Sequence, residues 1–242
     1  MDTPKVDVVI VTIIPEEYRA VRDALGTSKR VDWAGGNNLH GWRVGQVGPY
    51  RVVVGKTTLA GTHFAQAAAD DAIRRFGPQV LLVVGIAGGL PHRDGIGLGD
   101  VVVATQVFSY EYGKLKDDGY HARPRHDFTG SALVNALDQI DDEAPDWHGE
   151  AGAAVPRVFA GGIASGEKLL DSLEHPLAQD ILRACGGAAL AVEMESWGCA
   201  VSVQQAQNDL RPVILGVIRG ISDLPGVPVA GADNATLRDD NK

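Results

Sequence analysis

Runs of branched apolar residues, each closed by glycine, proline or an acid, recur along the chain at the spacing of strands and helices. Val6–Ile14 predicts a first strand, and Pro15 punctuates it. Residues 16–25 then place Tyr18, Val21, Ala24 and Leu25 on one helical face. Pro15 suits the first helical turn, and Glu16 and Glu17 fall at the positive end of that helix. Gly41–Val47 and Tyr50–Thr57 predict a hairpin around Gly48-Pro49. Ala60–Phe76 predicts an alanine-rich helix ended by Gly77-Pro78. Val80–Val84 predicts a buried strand running into a glycine turn over Gly85–Gly89, and Leu98–Ala104 another strand. Tyr110–His126 has aromatic and charged residues, glycine and proline but no period, and predicts a long surface loop. Further on, Gly130–Ile140 predicts a helix, Asp141–Gly152 an acidic connection, Arg157–Ser165 a strand and Leu177–Ala184 a helix. Ala188–Val192 predicts a strand, and Glu193-Met194-Glu195 opens a helix through Ser196–Ala206. Pro212–Asp223 begins apolar and turns polar at Arg219, as a strand buried on both faces does at its end. Residues 224–242 are polar and rich in glycine and proline, and predict a loop-like tail.

This alternation predicts an α/β protein with one domain over residues 1–223, built on a central mixed, largely buried sheet flanked by helices. Composition agrees: 45% of the 242 residues are hydrophobic and 22% charged, enough apolar material for a real core. The formal net charge of −9 argues against non-specific nucleic-acid binding, which needs clustered cations, and favours a small-molecule substrate. The two cysteines, Cys185 and Cys199, form no metal-ligand spacing, so neither a zinc site nor a disulfide framework is expected. With no signal sequence and no stretch of 18 apolar residues, the expectation is a cytoplasmic protein away from the membrane, with no metal or cofactor.

The carboxyl ends of strands in open α/β sheets are where ligands bind. Arg219, Ser222 and Asp223 lie at such an end. Asp223 is a candidate proton donor in a pocket there, or Ser222 and Asp223 cap a following helix. Glu193 and Glu195, one residue apart, should point in different directions, one toward a pocket and one toward a partner or solvent. The glycine turn Gly85-Ile86-Ala87-Gly88-Gly89 is neither a Walker A motif nor GxGxxG. Arg123, Arg125, His121 and His126 form a local basic cluster, which is either a solvated loop or a phosphate contact.

Taken together, PEEYRAV after the first strand, GIAGGL, VEME and RGISD resemble, in order and spacing, the nucleoside phosphorylase/nucleosidase superfamily. Within it the chain looks most like methylthioadenosine/S-adenosylhomocysteine nucleosidases, over roughly residues 6 to 223. The resemblance implies hydrolysis of the N-glycosidic bond of a purine nucleoside or nucleotide, releasing adenine without cofactor, in a homo-oligomer. It implies Asp223 as the acid at purine N7, with Ser222 holding it, and Glu17, or by a one-residue slip Glu16, activating water near Arg219. Glu195 would bind ribose hydroxyls, Met194 pack on the sugar, Ala87 and Gly88 line the cleft, and Leu169 stand where an aromatic residue stacks on the base. Breaking this bond needs a protonated leaving group, and a positioned acid or base typically supplies about 10²–10⁴-fold. A carboxyl with the usual value of about 3.9 must be shielded, or protonated through the substrate, to donate.

The chain departs from the family pattern in three places. Ile86 replaces a serine that holds phosphate in phosphorylases, which favours hydrolysis and leaves phosphorolysis as the alternative. Leu169 replaces the aromatic residue and follows Glu167-Lys168. The chain runs fewer than 20 residues past Asp223, so the family's final long helix is expected to be missing. SGEKLLDS and PEEYRAV look more like effector nucleosidase domains of large bacterial immunity-type proteins, some of which act on nucleotides including ATP. In that setting Arg123, Arg125, His126 and Lys168 would meet a phosphorylated substrate. A ligand-sensing domain that has lost turnover is the alternative of a different class.

Overall fold

The computed structural model describes residues 6–30, 39–90, 95–123, 125–129, 131–143, 156–185 and 187–226. Strand β1 (Val8–Thr12) leads into helix α1 (Pro15–Ala24), and a short β2 (Lys29–Arg30) precedes the hairpin β3 (Leu39–Val47) and β4 (Tyr50–Thr57). Helix α2 (Thr62–Phe76) buries Ala65, Ala68, Ala69, Ala72, Ile73 and Phe76, a stripe at three- and four-residue spacing. Gly77, at φ 52°, ends it in the left-handed conformation, its amide 3.0 Å from the Ile73 carbonyl.

Two expectations fail beyond this point. β5 (Val80–Gly89) does not stop at a glycine turn; Gly85–Gly89 continue the strand and pair with neighbours on both sides. The long loop expected over Tyr110–His126 is instead strand-rich. After β6 (Val101–Ser109) come β7 (Gly113–Lys116) and β8 (Gly119–Ala122), a two-stranded antiparallel ribbon, and then β9 (Arg125–Thr129), which pairs with β6. Cross-strand pairing makes the ribbon, with Tyr120 donating to the Tyr110 carbonyl at 2.9 Å. Its residues are exposed or half-buried, so no apolar alternation marks it.

Helix α3 (Ser131–Glu143), strand β10 (Val158–Ser165), helix α4 (Pro176–Ala184), strand β11 (Ala189–Glu193), helix α5 (Ser196–Asn208) and strand β12 (Ile214–Asp223) complete the described order. Ten strands form one mixed sheet in the order β11-β10-β6-β12-β5-β1-β4-β3-β2, with β9 beside β6. β11 also pairs with β5, so β5, β12, β6, β10 and β11 close on themselves. Val9, Val11, Leu81, Val83, Val217 and the stripe of α2 meet in the main core. Each fully buried aliphatic side chain of this kind stabilises the fold by about 1.5–3 kcal/mol. Leu224 packs on this core and Pro225 is buried, so the chain stays folded onto the domain just past Asp223. Residues 227–242, where the tail and the expected missing helix fall, lie outside the described residues.

Candidate active site

Three strand ends meet at one edge of the closed sheet. Gly88 of β5 pairs with Asp223 of β12 on one side and Val192 of β11 on the other. A Cβ on Gly88 would lie 3.3 Å from both Asp223 Oδ2 and Val192 Cγ2, so the missing side chain lets these groups close in. Asp223 continues the strand past a register shift at Ile221 and does not cap a helix. It is half-buried, less shielded than expected, and accepts from the exposed Ser222 hydroxyl at 3.0 Å.

Arg219, four residues earlier, is wholly buried. It pairs with Gly85 in register, and its guanidinium reaches past that glycine to Glu193 at the end of β11. A Cβ on Gly85 would collide with both Arg219 Nη1 and the Glu17 carboxylate, so only glycine leaves room for the pair. Nη2 donates to Glu193 Oε2 in a short ion pair, to Ser196 Oγ at 3.2 Å and to Glu195 Oε2 at 3.4 Å. Nε and Nη1 are buried and have no hydrogen-bond partner. Such donors are rare in folded proteins and mark sites where a ligand or water completes the bonding.

Glu17 is the buried member of the helix-start pair; Glu16 is exposed and salt-bridged to Arg19. Glu17 Oε2 accepts from the amides of Ile13 (2.6 Å) and Ile14 (3.0 Å), as an acid in the first helical turn does when it reaches back. Its Oε1 accepts from the Ile86 amide at 2.9 Å, which turns the carboxylate toward Gly85 and Arg219.

Glu193 and Glu195 do not diverge as expected: both are buried and both face Arg219. Glu193 is saturated, since it also accepts from the Glu195 and Ser196 amides at the start of α5 and from the Ser196 hydroxyl. That commits Glu193 to the scaffold and leaves Glu195 with spare acceptor capacity. Glu195 Oε1 accepts from the Gly61 amide at 3.1 Å, just before α2. Burial pushes the Glu195 carboxyl up to about 7; Arg219 pulls it back, Glu193 adds to the rise, the Gly61 amide opposes it, and Glu17 adds again.

The remaining predicted residues scatter. Met194 is half-buried between the two glutamates, and Ala87 is buried in the main core. Leu169 is 60% exposed beyond the end of β10. Of the basic residues predicted to meet a phosphorylated substrate, two are described with a side-chain setting away from Arg219. Lys168 is paired with Glu111, and Arg123 is exposed on the strand ribbon. The side chains of Arg125 and His126 lie outside the described residues. Gly61, Gly85 and Ser196 also stand in this cluster; the sequence marked Gly85 only as part of the glycine turn and gave Gly61 and Ser196 no role at the site. Their signals were a glycine before a helix, a glycine facing an arginine across strands, and a serine after an acid. Among the described residues no group of three or more His, Cys, Asp or Glu could hold a metal ion, and no helix is long and apolar enough to cross a membrane.

Comparison with known proteins gives the family. The sequence model of the Phosphorylase superfamily matches residues 7–241, and the chain belongs to that family. It is 28% identical over 251 residues to an ATP nucleosidase, Cap17, of Escherichia coli (strain KTE188), covering 92% of this chain and 46% of that protein. The chain therefore spans about half the length of this relative. It is also 28% identical over 246 residues to the 5'-methylthioadenosine/S-adenosylhomocysteine nucleosidase of Mycobacterium tuberculosis (strain CDC 1551 / Oshkosh), covering 91% of this chain and 87% of that one. The fold matches that of a putative nucleosidase of the same name from Borrelia burgdorferi B31, bound to adenine, with a TM-score of 0.72 at 19% identity, over 95% and 90% of the two chains. A futalosine hydrolase mutant of Helicobacter pylori matches with a TM-score of 0.66 at 20% identity, over 89% of each.

Proposed function

We propose that this chain hydrolyses the N-glycosidic bond of an adenine nucleoside or nucleotide and releases the free base. The observation that carries the reading is the meeting of Glu17 and Arg219 over Gly85, beside Glu195 and on the sheet edge that holds Asp223. In this reading Glu195 accepts from the ribose hydroxyls with Met194 against the sugar, and Asp223, steadied by Ser222, donates a proton at N7. Protonation makes the base a better leaving group as the sugar gains oxocarbenium character. Glu17 takes a proton from the attacking water, and Arg219 Nη1 orients that water with a donor that has no protein partner. Gly88, against Asp223 and Val192, lines the cleft in this reading; Ala87 is packed into the main core and Leu169 is exposed beyond β10, so neither is assigned a wall. Water is favoured over phosphate as nucleophile because Ile86, whose amide holds Glu17, brings an apolar side chain and no hydroxyl to this position.

The test is adenine release from a panel of adenine nucleosides and nucleotides, with and without inorganic phosphate. Release without phosphate is expected, and release only with phosphate would make the protein a phosphorylase. Tight binding without release would make it a sensor. Asp223→Asn should lower turnover by about 10²–10⁴-fold, with thermal unfolding little changed because Asp223 is half-buried at a strand end. An Asn variant of undiminished rate removes the assigned acid.

A further inference from the structure

Glu195 is the N-cap residue of α5, yet its carboxylate makes no bond to the amides of that helix. A side chain at this position ordinarily takes the second or third amide. Other groups fill those places here. The Ser196 amide goes to Glu193 at 3.0 and 3.2 Å, and the Gly198 amide to the Glu195 carbonyl at 3.0 Å. The second amide, that of Trp197, donates to Ser165 Oγ at 3.0 Å. Ser165 is the last residue of β10, wholly buried and in register with Glu193. It therefore caps α5 from a different strand, 32 residues away in the chain. Two residues further on, Glu167 Oε1 accepts from the Thr62 amide at 2.9 Å, at the start of α2. The end of β10 thus holds the starts of both helices that meet at Glu195. The Glu195 carboxylate stays turned away from its own helix, on the Gly61 amide and toward Arg219.

We propose that Ser165 is a positioning residue: by capping α5 in place of the N-cap side chain, it keeps the Glu195 carboxylate free to receive the sugar. The inference rests on the reading that Glu195 holds the ribose. The amides at a helix start carry partial positive charge and favour a nearby carboxylate. Leaving the Trp197 amide open therefore draws Glu195, which has spare acceptor capacity, back onto its own helix and away from the ligand. Ser165 does not touch substrate in this account and acts only through Glu195.

The experiment measures kcat and KM for adenine release, on the best substrate of the panel above, in the wild type, Ser165→Ala, Glu195→Ala and the double variant. Ser165→Ala should lower kcat/KM roughly tenfold, the scale of a lost helix cap, and mostly through KM. In the Glu195→Ala background the same exchange should cost no more than about twofold, because the group it positions is gone. No loss in the first background, or equal losses in both, overturns the proposal while leaving the hydrolase reading intact. Should Ser165→Ala fail to fold, Ser165→Cys keeps the volume with a weak acceptor, and the same comparison is made with it. A crystal structure of the Ser165 variant reads the cap directly. Glu195 should leave the Gly61 amide for the Trp197 amide, and a carboxylate that stays on Gly61 overturns the proposal. Release of adenine from no substrate overturns the hydrolase reading instead, and the cap is then judged by that structure alone.

Discussion

Around Arg219, one positive charge faces three carboxylates, those of Glu17, Glu193 and Glu195, in a buried space. Such a cluster is relieved when one acid takes up a proton, and Glu195 is the one pushed up to about 7, with burial the largest cause. A carboxylate that must accept from ribose hydroxyls works in its ionised form. The expected kcat/KM therefore falls as pH drops below about 7. Glu195→Gln should remove that limb and lower kcat/KM across the range, as a pH–rate series would record. A wild-type profile that stays flat from about pH 5 to 8 detaches Glu195 from substrate binding. At this scale much was legible. Asp223, Glu195 and Arg219 stood out because polar residues at the ends of apolar runs face ligand sites. The sequence left Glu16 and Glu17 as alternatives, since both suit a helix start. The Ile86 amide, brought in by a distant strand, separates them.

Helix α2 positions the Gly61 and Thr62 amides, and it is held by its packing against α5. Gly198 of α5 sits directly on the Thr62 carbonyl, and a Cβ there would overlap backbone. Neither partner can rotate away as a side chain would, so Gly198→Ala must move one helix. Overpacking of this kind costs about 1–3 kcal/mol, occasionally more. The variant should lose stability of that order in urea titration and also lose affinity for the sugar, because the Gly61 amide moves with α2. Unaltered stability and KM together would show that the helices yield without disturbing the site. The elements misread from sequence have a shared cause. Gly85–Gly89 looked like a turn because glycines break strands, yet β12 and β11 pair with it from both sides. Tyr110–His126 looked like a loop because its strands bury no continuous face. Inter-strand bonds decide both, and those are not written in local periodicity.

For the molecule as a whole, Glu195 links protonation to stability. Its folded value, about 7, lies above the ordinary 4.5, so the folded state holds that proton more tightly. The resulting stabilisation is fully present below about pH 4.5 and is lost as pH rises through about 7. Denaturation of wild type and Glu195→Gln across this window should show the wild type losing stability relative to the variant as pH rises. Parallel curves would mean that the carboxyl titrates alike in both states. The sequence by itself determined the α/β class, the order of most strands and helices, and which acids end up at strand ends. These follow from hydrophobic period, glycine and proline punctuation, and the four motifs of the family. Only the tertiary structure decided that Arg219 crosses Gly85 to reach Glu193, that Glu193 is spent on the scaffold while Glu195 keeps capacity, and that Lys168 is already paired. Each depends on groups far apart in the chain being packed within hydrogen-bond reach, the first two by the closure of β11 onto β5 and the third by the pairing of β10 with β6, and no local pattern encodes either.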